Sequence, residues 1–311
     1  MDMNASQARV VDPILTNHSR GYTQAGFIGD ELMPIVSMPT RAAKRIEFGR
    51  EAFRRYKIVR APGGGIARIQ VGYEGKAVSL IQRALGATTP IEHVEEAAHV
   101  PGIELLTENV NTVLNVIQLD REISQAEAAR NAAAYANSNK LALAGGDKWS
   151  DPGSKPDEQV SDAKEVIRKR TGRRPRTLAV AATVAAGLKK HPRVIGRFAY
   201  KDNADIVISD AMLAQFFDVG EVLVGDAIYD DDAGESVDVW GGDAILAFVP
   251  AKGQAGMRVP AFGYTYRLNG HPFVKPARFS DDYNSWLNDV FDEWSPELVG
   301  ADAGFLFQGA A

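Results

Sequence analysis

Between Glu108 and Leu141 the chain has neither Gly nor Pro, and this one uninterrupted stretch constrains the fold more than any other feature. A turn at Pro101-Gly102 precedes it. Thr107 suits the N-cap and Glu108 the positive end of a helix. Leu106, Val110, Val113, Val116, Ile117, Leu119, Ile123 and Ala126 recur at three- and four-residue steps, an apolar stripe of helical period. The pattern predicts a helix from Thr107 to Leu141, a rod of about 50 Å at 1.5 Å per residue. A rod of that length fits a coiled coil, a helical repeat or a structural spine. Asp120 breaks a strict heptad seam, and the second half turns to alanine (Ala126, Ala128, Ala129, Ala132, Ala133, Ala134, Ala136). Both features favour a spine lying across a sheet within one subunit.

Around this stretch the chain changes character. Residues 1–40 are punctuated by Asp12-Pro13, Gly21, Gly26, Gly29, Pro34 and Pro39, yet hold too many apolar residues for a disordered tail. They predict an extended arm that lies against something. Lys44–Phe53 and Ile66–Tyr73 read as two charged strands joined through Pro62-Gly63-Gly64-Gly65. Such a hairpin has no core of its own and should pack on a neighbour. Beyond a loop at 145–153 an α/β pattern sets in. Helices are expected over Asp157–Thr171, Val184–His191 and Ser209–Phe217, and buried strands over Thr177–Ala181 and Glu221–Gly225. A β pair, Ser236–Trp240 with Ala244–Val249, is expected across Gly241-Gly242. Strand character resumes over Arg258–Leu268 and Pro272–Phe279. Asn284–Leu298 reads as a charged, aromatic tail and Ala303–Phe307 as a last apolar segment.

Charge is distributed unevenly behind the net −5. Basic residues crowd Arg41 to Arg83 against only Glu47, Glu51 and Glu74, whereas Asp281 to Asp302 holds acidic residues and no Lys or Arg. That polarity fits nucleic acid on the basic side, complementary surfaces in a self-assembly, or ordinary solvated surface.

Chemistry is poorly represented. The absence of Cys removes disulfides, thiolate catalysis and Cys-containing zinc sites. No apolar run approaches the roughly 20 residues of a membrane span. His93 and His99 lie among Glu92, Glu95 and Glu96, without HExxH spacing and in a segment that reads as loop. His18, His191 and His271 have no readable triad partner. Asp230-Asp231-Asp232 with Gly234 and Glu235 gives a fragment of a calcium loop and reads as an exposed turn. The three glycines at 63–65 lack the Gly-Lys-Ser/Thr of a P-loop. The basic run Lys164 to Arg176 lacks interleaved aromatics, and the overall pI is ≈ 5.6, so it reads as a helix end and a solvated turn. No catalytic, cofactor or metal residue is assigned.

The order of parts resembles the tailed-bacteriophage major capsid protein family with the Hong Kong 97-like fold. The likeness rests on Asp12-Pro13-Ile14-Leu15-Thr16-Asn17 leading to Gly21-Tyr22, and on Phe27-Ile28-Gly29-Asp30-Glu31-Leu32-Met33-Pro34. It continues with Lys148-Trp149-Ser150-Asp151, Gly172-Arg173-Arg174-Pro175 and Leu223-Val224-Gly225-Asp226-Ala227. It ends with Val239-Trp240-Gly241 and Asp302-Ala303-Gly304-Phe305-Leu306. The resemblance implies an α+β fold with an N-terminal arm over 1–40 and an extended β-hairpin loop over 41–100. It implies a peripheral domain over 101–155 and 257–311 that includes the spine helix, and an axial α/β domain over 156–256.

The implied function is self-assembly into hexamers and pentamers of an icosahedral shell around double-stranded phage DNA. No enzymatic activity and no cofactor are implied. Portal and scaffolding proteins would be partners, DNA would be held without sequence-specific contacts, and no membrane would be involved. Assembly would take place in the bacterial cytoplasm and the product would be the virion capsid. The chain departs from relatives with a long N-terminal scaffolding segment, which implies a separate scaffold or a removed segment. Lys57 and Lys76 lie in the hairpin, but nothing there marks a covalent cross-linking site. Arg41, Arg45, Arg50, Arg54, Arg55 and Arg60 of the hairpin, with Asp289, Asp292 and Glu293, are the expected intersubunit contacts. An encapsulin-like compartment shell shares the fold and stays open at this point, as does an oligomeric α/β enzyme that binds a small molecule.

Overall fold

The long helix spans Leu105–Arg130 in the computed structural model. The structure describes residues 24, 26–47, 59, 62, 66, 74–99, 104–198, 206–251, 253–256 and 259–311. At 26 residues the helix is about 39 Å long, shorter than the sequence predicts. Its start is drawn back because Leu105 is buried against Ala97. Glu104 takes the N-cap position, and Thr107, expected there, donates its hydroxyl to Glu104 Oε2 at 3.2 Å.

The helix stops at Arg130 although alanines follow. Asn131 turns to extended backbone and its side chain accepts the Ala133 amide at 3.0 Å. Tyr135 donates its hydroxyl to the carbonyl of Ala129 (2.5 Å), and Lys140 donates to that of Ala132 (2.9 Å). Side chains thus satisfy carbonyls left over at the helix end, and tertiary contacts override alanine's helix propensity.

Strand β1 (Ile35–Met38) follows a short helix, Gly29–Leu32, and leads into β2 (Ala42–Glu47), β3 (Glu74–Ser79) and β4 (Ile81–Pro90). β2 and β3 form an antiparallel hairpin from Ala42↔Ser79 to Glu47↔Glu74. Residues 48–53 and 67–73 of the expected hairpin strands lie outside the described residues. Helix Ile91–Ala97 then carries His93, correcting the loop expected there. Its helical period is set by Val94 and the buried Ala97, which face the start of the long helix.

After β5 (Lys140–Ala142) come helix Pro156–Thr171, β6 (Thr177–Ala181), helices Ala182–Lys190, Pro192–Phe198 and Asp210–Phe217, and β7 (Glu221–Gly225). Most of these match the expected elements closely, but helix Pro192–Phe198 is not among those expected: Pro192 opens a helix at its first position, where its missing N–H costs nothing. Gly172 ends the first of the helices at φ 68°, a left-handed conformation that glycine adopts without strain, and Ser209 caps the last. β8 (Ile228–Asp230) pairs with β9 (Ser236–Asp238), and β10 (Ala244–Ala247) pairs with β6. The expected pairing across Gly241-Gly242 does not form, because β10 is fully buried and turns into the core.

The C-terminal part consists of β11 (Gly263–Leu268), β12 (Phe273–Val274), β13 (Arg278–Ser280), β14 (Ser285–Leu298) and β15 (Gly304–Gln308). The segment read as a charged tail is therefore the longest strand. β14 is the axis of a six-stranded sheet, with β4 along one edge and β11, β12 and β13 in succession along the other. β1 adds to β11 in parallel. Gly29–Leu32 and β1, expected in an arm, are thus built into the subunit's own body, since Leu32 and Met33 are core residues.

The long helix lies across this sheet. Val113 and Ile117 pack on Val290 of β14, burial of the kind that contributes about 1.5–3 kcal/mol per side chain. A second, five-stranded sheet has the order β5-β15-β10-β6-β7, with Leu178, Val180, Ile245, Leu246, Leu306 and Phe307 in its core. It draws β5 and β15 from the two stretches expected to be peripheral, so a boundary at 256/257 cuts through it.

Candidate functional site

Glu122 projects from the long helix into the place where both sheets and the N-terminal segment meet. It is 2 % exposed. Its Oε1 accepts the Ile28 amide at 2.8 Å and the Trp240 indole N–H at 2.8 Å, while Oε2 accepts the Gly29 amide at 2.9 Å. Helix Gly29–Leu32 has no side-chain cap of its own, so Glu122 satisfies its orphan donors from another element. Burial pushes the Glu122 carboxyl above the usual carboxylate range; the amides of Ile28 and Gly29 and the Trp240 indole pull it back, and neighbouring Asp30 adds to the rise. A Cβ at Gly29 would collide with Gln125 Oε1 and come within 2.7 Å of Glu122 Oε2, so these buried, hydrogen-bonded side chains would have to move.

One helical turn on, the network continues. Gln125 Nε2 donates to Asp30 (2.8 Å) and to the Thr265 hydroxyl (2.7 Å), which donates to the carbonyl of Met33 at 3.0 Å. Arg121 binds Asp30 through Nε (3.2 Å) and Nη2 (2.8 Å), and its Nη1 is 3.7 Å from Asp292. Asp292 is fully buried in β14 and held by Arg267 through two bonds of 2.9 and 2.6 Å. On the opposite face of the strand, Glu293 pairs with Arg41 at the hairpin root, at 2.7 and 2.9 Å. Arg41 holds the Glu293 carboxyl below its ordinary range.

Further along, Arg130 binds Asp243 at 2.7 Å, and Asp243 accepts the Gly309 amide at 2.8 Å. The long helix is therefore tied by paired charges to the N-terminal segment and to both sheets, and Asp243 passes the link on to the backbone just after β15. Asp292 is the fully buried member of these pairs, and removing Arg267 would leave its charge poorly compensated.

The residues expected at an interface separate into groups. Arg41, Asp292 and Glu293 are engaged inside the subunit, because β14 is the central strand of its sheet. Asp289 lies 3.9 Å from Arg278. Arg45 sits in β2 opposite Lys76. Arg50, Arg54, Arg55 and Arg60 lie outside the described residues.

One pair has the look of chemistry. Ser154 Oγ stands 3.2 Å from His191 Nε2, both side chains being buried. However, His191 Nδ1 accepts the Arg193 amide at 3.2 Å, so Nε2 carries the proton and donates to the carbonyl of Asp151 at 3.0 Å. A donor at that nitrogen takes no proton from serine, and the pair holds a turn. Among the described residues no group of three His, Asp or Glu is placed to hold a metal ion, and no helix is long and apolar enough to cross a membrane.

Residues 104–285 match the family model described as phage major capsid protein E. The chain is 36 % identical to the major capsid protein of Burkholderia phage BcepMu over 307 residues, 98 % of each chain. It belongs to the phage major capsid protein E family. A crystal structure of a phage-related protein from Bordetella bronchiseptica RB50 is similar over 98 % of both chains, with 38 % identity and a TM-score of 0.75. The capsid of cyanophage P-SCSP1u shares the fold at 10 % identity, with a TM-score of 0.59 over 93 % of this chain and 89 % of that one. The fold is thus the Hong Kong 97-like α+β fold of phage capsid proteins.

The Glu122 junction was not found by sequence reasoning. Its parts were visible as separate fragments, Phe27 to Pro34 and Val239-Trp240-Gly241. Their convergence on Glu122 spans more than ninety residues in either direction, and no local period reports such a contact.

Proposed function

We propose that this capsid protein assembles with itself, as hexamers and pentamers, into the icosahedral shell that encloses a double-stranded phage genome. The observation that carries this reading is the 36 % identity with a phage major capsid protein across 98 % of both chains. Portal and scaffolding proteins act as partners, and the packaged DNA is held without sequence-specific contacts. Assembly takes place in the bacterial host cytoplasm. The chain has no catalytic role.

The β2–β3 hairpin serves as the loop that overlies an adjacent subunit; the rest of the expected 41–100 loop, β4 and helix Ile91–Ala97, pairs with the subunit's own β14 and packs on its long helix. A charged hairpin with no core of its own gains stability by packing on a neighbour. Arg45, Arg50, Arg54, Arg55 and Arg60 steer that docking, with Asp289 among the receiving groups. Residues 1–40 contribute an arm whose last part is anchored by Glu122. The peripheral domain, 101–155 with 257–311, shares β5 and β15 with the axial domain, 156–256.

Expression of the chain together with its assembly partners tests the proposal. Particles built of this protein and holding nuclease-resistant DNA are expected. Particles that hold a protein cargo and no DNA would transfer the chain to the compartment-shell reading.

A further inference from the structure

From Asp202 to Ala251 the chain has no Lys or Arg. Within that stretch β7 ends at Gly225, and Asp226 and the β8–β9 hairpin follow directly. The hairpin presents Asp230, Asp231, Asp232 and Glu235, all exposed. Asp231 Oδ1 accepts the amides of Ala233 and Glu235, and Asp230 accepts the Ser236 hydroxyl, so hydrogen bonds fix the shape of the acidic tip without neutralising it.

The other end of the same sheet is basic. β6 and β7 are parallel, in register from Thr177↔Glu221 to Ala181↔Gly225. Arg176 lies just before β6, and its carbonyl accepts the amides of Gly220 and Glu221 at 2.7 and 3.1 Å, which clamps the two strand starts together. Helix Pro156–Thr171 ends at this side too. It brings Arg168 and Lys169, with Arg173 and Arg174 in the turn that follows, and all four are exposed. Two parallel strands of five residues set the poles about 17 Å apart, facing opposite ways.

We propose that the two poles are the matching halves of a head-to-tail contact between copies of this protein. The basic end of one five-stranded sheet seats on the acidic hairpin of the next. The proposal rests on the shell reading above and names the surfaces by which neighbouring axial domains meet. Complementary patches on opposite ends of one chain make a heterologous contact, which closes into a ring when the rotation between copies allows it. Exposed Ile228 and Val237 beside the carboxylates supply apolar area for the contact.

A second copy fits the basic pole better than nucleic acid does. Glu165 and Glu221 stand among its cations, Glu165 bonded to Arg168 at 2.6 Å and Glu221 to the Thr177 hydroxyl at 2.8 Å. Arg173 is engaged over the Phe248 ring, 5.0 Å from its centroid. Carboxylates set among cations weaken attraction for a polyanion, whereas they suit a partner surface of definite shape.

Two reversals test the contact in the full chain: Arg173→Glu with Arg174→Glu at one pole, and Asp232→Lys with Glu235→Lys at the other. Each pair alone should lower the yield of particles or capsomer rings about tenfold or more, since like charges then face each other. All four together should restore most of it. Arg173→Gln with Arg174→Gln should fall between, and circular dichroism should match the wild type throughout. Wild-type particle yield from both single-pole reversals would overturn the contact and leave the shell reading standing, as would a fourfold variant no better than its parents. Normal shells from the basic-pole reversal that merely lack DNA would overturn it in favour of a nucleic-acid surface. If the wild type itself forms no particles beside its assembly partners, the shell reading fails and this contact with it.

Discussion

The carboxylate of Glu122 and the indole of Trp240 are joined by a hydrogen bond of 2.8 Å between residues 118 positions apart. Through it the long helix is fastened to the loop that leads into the five-stranded sheet. The same carboxylate holds Ile28 and Gly29, so one buried group fixes three parts of the subunit against one another. A shell subunit needs that rigidity, because the geometry of one copy is repeated in every contact.

Removing the acceptor should therefore be costly. Glu122→Leu leaves the amides of Ile28 and Gly29 and the Trp240 indole without partners in a dry site. A loss of about 3 kcal/mol or more is expected in urea denaturation, since each orphaned donor costs about 1–3 kcal/mol. A change below about 0.5 kcal/mol would show that these bonds hold nothing in place.

Two carboxylates should respond to pH with opposite sign. Burial raises the Glu122 pKa above its ordinary 4.5, so the folded state binds a proton that the unfolded chain has released. The stabilising contribution of that group is complete below 4.5 and is lost as pH rises through the folded pKa. Glu293 is lowered from 4.5 by Arg41; its contribution is present above 4.5 and is lost as pH falls through the folded value. Denaturation of the wild type and of Glu122→Gln across this range should show the wild type losing ground to the variant as pH climbs above 4.5. Glu293→Gln should show the wild type losing ground as pH drops below it.

Gly29→Ala should destabilise by steric collision alone, since the added methyl meets Gln125 and Glu122. Overpacking of this kind costs about 1–3 kcal/mol, read as a lower Tm in calorimetry. An unchanged Tm would mean that the segment carrying Gly29 shifts freely.

Charge reversal at Arg54 and Arg55 should impair assembly and leave the circular dichroism of the subunit intact, because the role assigned to these residues lies between subunits. Electron microscopy of the variant decides this. Normal shells would remove the electrostatic steering assigned to the hairpin.

How far the sequence could be read depended on the range of the forces involved. Val110, Val113 and Ile117 reported the long helix and the face it buries on Val290, because both follow a local period, whereas Val116 of the same stripe is exposed. The end of the helix was not legible, since Asn131, Tyr135 and Lys140 act there against the propensity of Ala132 to Ala134. β14 was hidden for a similar reason. Asn288, Asp292, Glu293 and Ser295 are buried in it, and Arg267 of the paired β11 and Arg41 of the bend before β2 neutralise the two carboxylates. A strand whose polar residues point inward loses the alternation that marks strands. Recognisable fragments, taken in order, carried the family resemblance, while the junction that unites two of them at Glu122 required coordinates.

On the function proposed above, this chain is the repeating unit of a closed shell. Cryo-electron microscopy of the protein expressed with the scaffolding protein proposed as its partner measures that most directly. Uniform icosahedral particles are predicted, each subunit showing the long helix across the six-stranded sheet and density joining Glu122 to Trp240. A protein that stays monomeric at high concentration, through a range of salt and with scaffold present, would contradict the account.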